Sequence, residues 1–130
     1  MPIHDPGPRP TLRGCRILVV EDEYFLADDI ARAVERLGGE VVGPVGEVEE
    51  GLDALSGQDR VDGAVLDINL REEMIYPVAD ALRRRGIPFV FATGYDQAVV
   101  PGEYHDVLRW EKPFDPAALA RALPDLVSVG

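Results

Sequence analysis

The run Arg16-Ile17-Leu18-Val19-Val20 is apolar at every position after the first, and it stops abruptly at Glu21-Asp22-Glu23. A strand with one face in water alternates apolar and polar residues. A strand without alternation is buried on both faces, which points to a parallel sheet covered on both sides. Parallel strands need crossover connections, and those are usually helices. The rest of the chain has that punctuation. Tyr24 to Leu37 carries Leu26, Ile30, Val34 and Leu37 on one helical face, and Gly38-Gly39 stops it. Glu40 to Val45 reads as a second, weaker strand, and Val48 to Leu55 as a short helix on Val48, Leu52 and Leu55. Gly63-Ala64-Val65-Leu66 is a third buried strand ending at Asp67. Pro77 to Arg85 follows as a helix, with proline in its first turn and Arg83, Arg84 and Arg85 at the negative end of its dipole. Ile87 to Ala92 and Val107 to Trp110 read as the fourth and fifth strands. Asp115 caps a last helix begun by Pro116, which Pro124 is expected to end or kink. The expected fold is α/β: a doubly wound, five-stranded parallel sheet with helices on both faces.

The 130 residues suit one domain. Pro2, Pro6, Pro8 and Pro10 mark residues 1–13 as a flexible, proline-rich lead, leaving 14–130 for the domain. Subtracting 24 acidic from 13 basic residues leaves a net charge of −11. Such a chain is repelled by nucleic acids and anionic membranes, so neither is an expected partner. The single cysteine, Cys15, fits a reducing compartment. No apolar run is long enough to span a membrane, and the N-terminus lacks a secretory apolar region, so a cytoplasmic protein is expected.

In open parallel sheets, ligands bind beyond the carboxyl ends of the strands. The first strand ends in Glu21-Asp22-Glu23, the third in Asp67 and the fourth in Thr93, while Lys112-Pro113-Phe114 follows the fifth. If these meet at one edge, Asp22 and Asp67 face each other with Glu21 close by. Neighbouring carboxylates require a proton or a cation. An all-oxygen set suits Mg²⁺, which binds through one or two carboxylates and leaves room for a phosphate. Without a His or Cys cluster, zinc does not fit. Lys112 and Thr93 then offer a charge and a hydroxyl to a phosphoryl group, and Asp67 is the candidate nucleophile for an aspartyl-phosphate. Taken singly, each has a plainer role: Asp67 a cap, Thr93 a structural hydroxyl, Lys112 a surface lysine. Glu23 reads as a helix-start acid. Tyr104 and Trp110 read as partner surface or as packing, Cys15 as a small hydrophobe, and His4 and His105 as solvent-exposed.

Taken together, Ile17-Leu18-Val19-Val20-Glu21-Asp22-Glu23, Ala64-Val65-Leu66-Asp67-Ile68-Asn69-Leu70, Phe91-Ala92-Thr93-Gly94-Tyr95 and Glu111-Lys112-Pro113-Phe114 resemble a response-regulator receiver domain over residues 14–127. The resemblance implies a flavodoxin-like receiver fold that takes phosphate from a histidine kinase. It makes Asp67 the phospho-acceptor, Asp22 a direct metal ligand, Glu21 a ligand through water, and Asn69 a ligand through its backbone carbonyl. Thr93 becomes the switch hydroxyl and Lys112 the phosphate-contacting lysine, with a cis Lys112-Pro113 bond. Such a protein catalyses only its own phosphorylation and dephosphorylation. The Phe91–Tyr95 pentapeptide and Tyr76-Pro77-Val78-Ala79-Asp80 further resemble the stand-alone "FAT GUY" receivers, which are paired with kinases of the HWE or HisKA2 type.

The sequence departs from this family at one switch position. Receivers usually carry Tyr or Phe three residues before the lysine; here Arg109 stands there, with Trp110 beside it. The stretch from Thr93 to Lys112 is also short and contains Pro101-Gly102, so a shortened or irregular fourth helix is expected. Signalling by ordering the Tyr95–Arg109 segment follows as an expectation, as does a Tyr95 that overhangs the phosphoryl and slows attack by water. With no output domain after Val127, action through partners or a phosphorelay is expected. A phosphorylation-independent pseudo-receiver is the alternative. An aspartyl phosphohydrolase would want an acid where Asn69 stands, and a dinucleotide site would want glycines where Glu21-Asp22-Glu23 stands.

Overall fold

In a computed structural model of the chain, the residues described are 11–57, 60–70, 73–94 and 100–127. The elements run β1 (Arg16–Val20), α1 (Tyr24–Arg36), β2 (Glu40–Val45), α2 (Val48–Ser56), β3 (Gly63–Asp67), β4 (Asn69–Leu70), β5 (Glu73–Met74), α3 (Tyr76–Arg84), β6 (Phe89–Thr93), a 3₁₀ turn (Gly102–Tyr104), β7 (Arg109–Glu111) and α4 (Pro116–Val127). Five strands form one parallel sheet in the order β2-β1-β3-β6-β7. The order reverses beside β1, so β1 and β3 lie at the centre and their carboxyl ends open at the same edge. The doubly wound α/β expectation therefore holds.

The two-residue period of the strands sorts the core into two halves. Leu18, Val20, Leu66, Phe89 and Phe91 face α2 and α3. Ile17, Val19, Val65 and Val90 face α1 and α4. Every residue of β3 and β6 is buried, as unbroken apolar runs require. Gly63 opens β3 for a steric reason: a Cβ there would stand 2.7 Å from Val127 Cγ1 of α4.

Several boundaries differ from the sequence expectation. The fourth strand starts at Phe89 rather than Ile87, because Pro88 has no N–H to give a ladder. The fifth starts at Arg109 rather than Val107, whose N–H instead closes a turn on the Tyr104 carbonyl at 3.0 Å. Pro124 does not end the last helix, which continues to Val127. Proline there removes a single bond in the final turns, and its buried ring packs alongside Leu119, Ala120 and Leu123. Asp115 does cap that helix, accepting from Ala117 N at 3.0 Å. The β4–β5 hairpin was not expected. Between β6 and β7 the described residues contain one 3₁₀ turn and no α-helix, which matches the irregular fourth helix.

Residues 1–10 of the proline-rich lead lie outside the described residues. Thr11 to Arg13, assigned to the same lead, are tied to the end of α1. Leu12 is wholly buried, and Leu12 N donates to the Leu37 carbonyl at 2.8 Å. Leu12 fills the gap above Gly39 and Val34, where apolar contact outweighs the freedom of three residues. Among the described residues no helix is long and apolar enough to cross a membrane.

Candidate phosphoryl and metal site

The carboxyl end of β1 is extended by one pair beyond the strand, with Glu21 N donating to the Val45 carbonyl at 2.9 Å. Glu21 is therefore held as rigidly as the strand, and its side chain is only 1% exposed. Its Oε2 accepts from Glu23 N at 3.0 Å, which shapes the turn into α1. At the end of β3, Asp67 is paired in register with Ala92, and the next residue, Ile68, donates to the Ala92 carbonyl at 2.9 Å. The Asp67 carboxylate, 3% exposed, is thus fixed at the mouth of the central strand.

Lys112 reaches both carboxylates from the far side of the sheet. Its own N–H donates to the Thr93 carbonyl at 2.7 Å, and the Lys112-Pro113 peptide is cis, as the family resemblance implies. Its Nζ lies 3.1 Å from Glu21, 3.1 Å from Glu23 Oε2 and 3.4 Å from Asp67 Oδ2. Burial alone would lower the lysine pKa, but the charges of Asp67 and Glu21 outweigh it and hold the ammonium well above its ordinary range. Thr93, buried at the end of β6, pairs with Glu111 of β7.

Oxygens of Glu21, Asp22 and Asp67 lie within 4.8 Å of one another. Among the described residues, Lys112 brings its ammonium to two of them, Glu21 and Asp67. Glu21 Oε1 is also buried and accepts no hydrogen bond, although Lys112 Nζ lies at ion-pair distance from it. An all-oxygen set with a buried acceptor in want of a donor fits a hard dication such as Mg²⁺. A cleft of about 740 Å³ opens beside these carboxylates, between Tyr24, Asp28, Pro44, Gly46 and Glu73.

Glu21, Asp22, Asp67, Thr93 and Lys112 thus come to one edge. Asn69 lies two residues beyond Asp67, in β4, which pairs antiparallel with β5 through Asn69 and Met74. Tyr95 falls outside the described residues. Arg109 is exposed in β7, while Trp110 is half-buried and meets Phe114 edge to face at 6.1 Å. Sequence reasoning missed one participant. Glu23 was read as a helix-start acid but pairs with Lys112; its place two residues after Glu21 was the available signal. Tyr104 was left between surface and packing, and is 1% exposed. His105 is exposed as expected, with Nε2 lying 3.0 Å from the Val100 carbonyl.

No protein-family model matches the chain. It is 34% identical over 112 residues to the sensory transduction protein LytT of Bacillus cereus, covering 83% of this chain and 45% of that protein. The chain thus spans about half the length of the curated relatives it matches. The solution structure of SdrG from Sphingomonas melonis Fr1 is similar with a TM-score of 0.75 and 40% identity, covering 86% of this chain and 95% of that one. The BeF3-activated conformation of SdrG from Pseudomonas melonis Fr1 matches at 0.69 and 38%, over 86% and 95%. A response regulator receiver protein from Sinorhizobium medicae WSM419 matches at 0.75 and 25%, over 91% and 98%.

Proposed function

We propose, on the premise that this chain belongs to the response-regulator receiver family, that it is a signalling module whose Asp67 accepts a phosphoryl group from a sensor kinase's phosphohistidine. The observation that carries the reading is the meeting of Lys112 Nζ with Asp67 and Glu21, side chains brought to one point from three strand ends. In the transfer, an Asp67 carboxylate oxygen forms a bond to phosphorus as the phosphorus–nitrogen bond to the imidazole breaks. The imidazole leaves with the electron pair and is protonated from solvent. Lys112 and the Thr93 hydroxyl take up charge on the phosphoryl oxygens. Asp22, Asp67 and the Asn69 carbonyl would hold Mg²⁺, with Glu21 acting through a water. When bound, the ion neutralises the acidic edge and the incoming phosphate. The existence of a BeF3-activated form of SdrG supports this reading.

The partner proposed is a histidine kinase of the HWE or HisKA2 type, in the cytoplasm, with output through a protein partner or a phosphorelay. Any catalysis is confined to the chain's own phosphorylation and dephosphorylation. A second reading, a binding module that needs no phosphate, draws on the exposed Arg109 where the family usually carries an aromatic.

Mass spectrometry after treatment with phosphoramidate separates the two. The first reading expects one added phosphoryl on the wild type with Mg²⁺, and none with EDTA or in Asp67→Asn. Uptake by Asp67→Asn equal to wild type would refute it, and no uptake by the wild type would favour the second reading.

A further inference from the structure

Among the described residues, Tyr104 is the largest wholly buried side chain, although it comes from a 3₁₀ turn rather than a strand or long helix. Its ring stacks on Tyr76 at the start of α3, 5.3 Å away and 16° from parallel. Its edges meet Phe91 at 5.8 Å and Phe89 at 6.4 Å. Its hydroxyl donates to the Asp80 carboxylate. The Arg83 guanidinium lies 5.0 Å over the same ring while Arg83 Nη2 donates to Asp106 at 2.6 Å. One side chain from the β6–β7 connection is therefore fastened to successive turns of α3, at Tyr76, Asp80 and Arg83.

Phe91 and Thr93 point to the same side of β6 by the two-residue period, and Arg109 is the register partner of Phe91. Tyr104, rather than a β7 side chain, packs against Phe91 on that face. A movement of Thr93 thus meets Tyr104 through the Phe91 ring. We propose that Tyr104 is the positioning residue that couples the Thr93 end of β6 to α3, with the Tyr104–Asp80 hydrogen bond as its fastening. The coupling rests on the phospho-acceptor reading. It places the output on the exposed end of α3, at Arg83 and Arg84, where Arg83 pairs with Asp106 of the β6–β7 connection.

The test is amide hydrogen exchange on the full chain, with and without Mg²⁺ and beryllofluoride, for wild type, Tyr104→Phe and Asp80→Asn. Wild type is expected to change exchange both at β3 and over Asp80–Arg85. Tyr104→Phe keeps the ring and is expected to keep the β3 response and the Mg²⁺ affinity within about twofold, while the Asp80–Arg85 response falls by about half or more. Asp80→Asn, which alters the other end of the same bond, is expected to weaken that response in the same direction. A purely structural Tyr104 would speed exchange equally with and without ligand and leave the difference intact, which would overturn the coupling. So would a wild type that responds at β3 and not at α3. No response at β3 in the wild type would instead overturn the acceptor reading and the coupling with it.

Discussion

The two ends of the sheet carry ion-pair networks of similar chemistry and opposite character. At the amino end, Arg16 pairs with Glu40 and donates to the Arg60 carbonyl at 2.7 Å, while Arg60 pairs with Asp62 at 3.0 Å. Glu40 is 69% exposed and Arg60 63%, so water already solvates these charges and the pairs hold the strand starts together at little energetic consequence. Among the described residues, two arginines there meet two acids. At the carboxyl end, one lysine faces Glu21, Glu23 and Asp67, with Asp22 alongside. Charges out of water are costly unless matched, and among the described residues this end gathers its acids around one lysine. The lesson is that salt bridges do not mark the functional end. Burial does, because carboxylates gathered out of water suit a ligand carrying positive charge, or a phosphate brought with its cation.

The widest gap between the two ends should open on removing Lys112. Lys112→Ala without Mg²⁺ is expected to lose about 3 kcal/mol in urea denaturation at neutral pH, the scale for breaking a buried pair. A loss as small as that of a surface pair would break the comparison. Added Mg²⁺ comes next: at about a hundredfold over its dissociation constant it should stabilise the wild type by about 2.7 kcal/mol. Thermal melts of Asp22→Asn should lose most of that gain, while Glu40→Gln should keep it.

A pH series sharpens the contrast further. Lys112 is held protonated above its ordinary range, so its share of stability is complete below the unfolded value and is lost only as pH climbs through the raised folded value. The stability difference between wild type and Lys112→Met should therefore stay flat from about pH 7 to 10 and shrink beyond that. A difference that already falls between pH 7 and 9 would show that the lysine is not held by its carboxylates. The smallest effect belongs to the amino end, where Glu40→Gln should cost less than about 1 kcal/mol and less still at high salt.

Much of this was legible in the sequence because parallel strands reveal themselves as unbroken apolar runs. Arg16–Val20 and Gly63–Asp67 were readable almost to the residue, and the acids that end them stood out against four buried neighbours each. Lys112 and Thr93 were readable only in conjunction. Less legible were features set by contacts distant in sequence. Nothing local says that Val107 closes a turn on Tyr104, that Leu12 packs with Val34, or that Pro124 is carried within a helix by the core beneath it. Glu23 escaped for a similar reason: acids suit a helix start, and only Lys112, far along the chain, gives this one a partner.

From the sequence alone came the layered parallel sheet, the edge at which to look, and the oxygen-rich character of what gathers there, since burial patterning and residue chemistry are local properties. The tertiary structure decided which carboxylates share an ammonium, how much of each is out of water, and that Tyr104 rather than a β7 aromatic fills the face beside Phe91. Those depend on distances between strand ends and on the shape left between sheet and helix, which side-chain packing sets and no stretch of sequence encodes by itself.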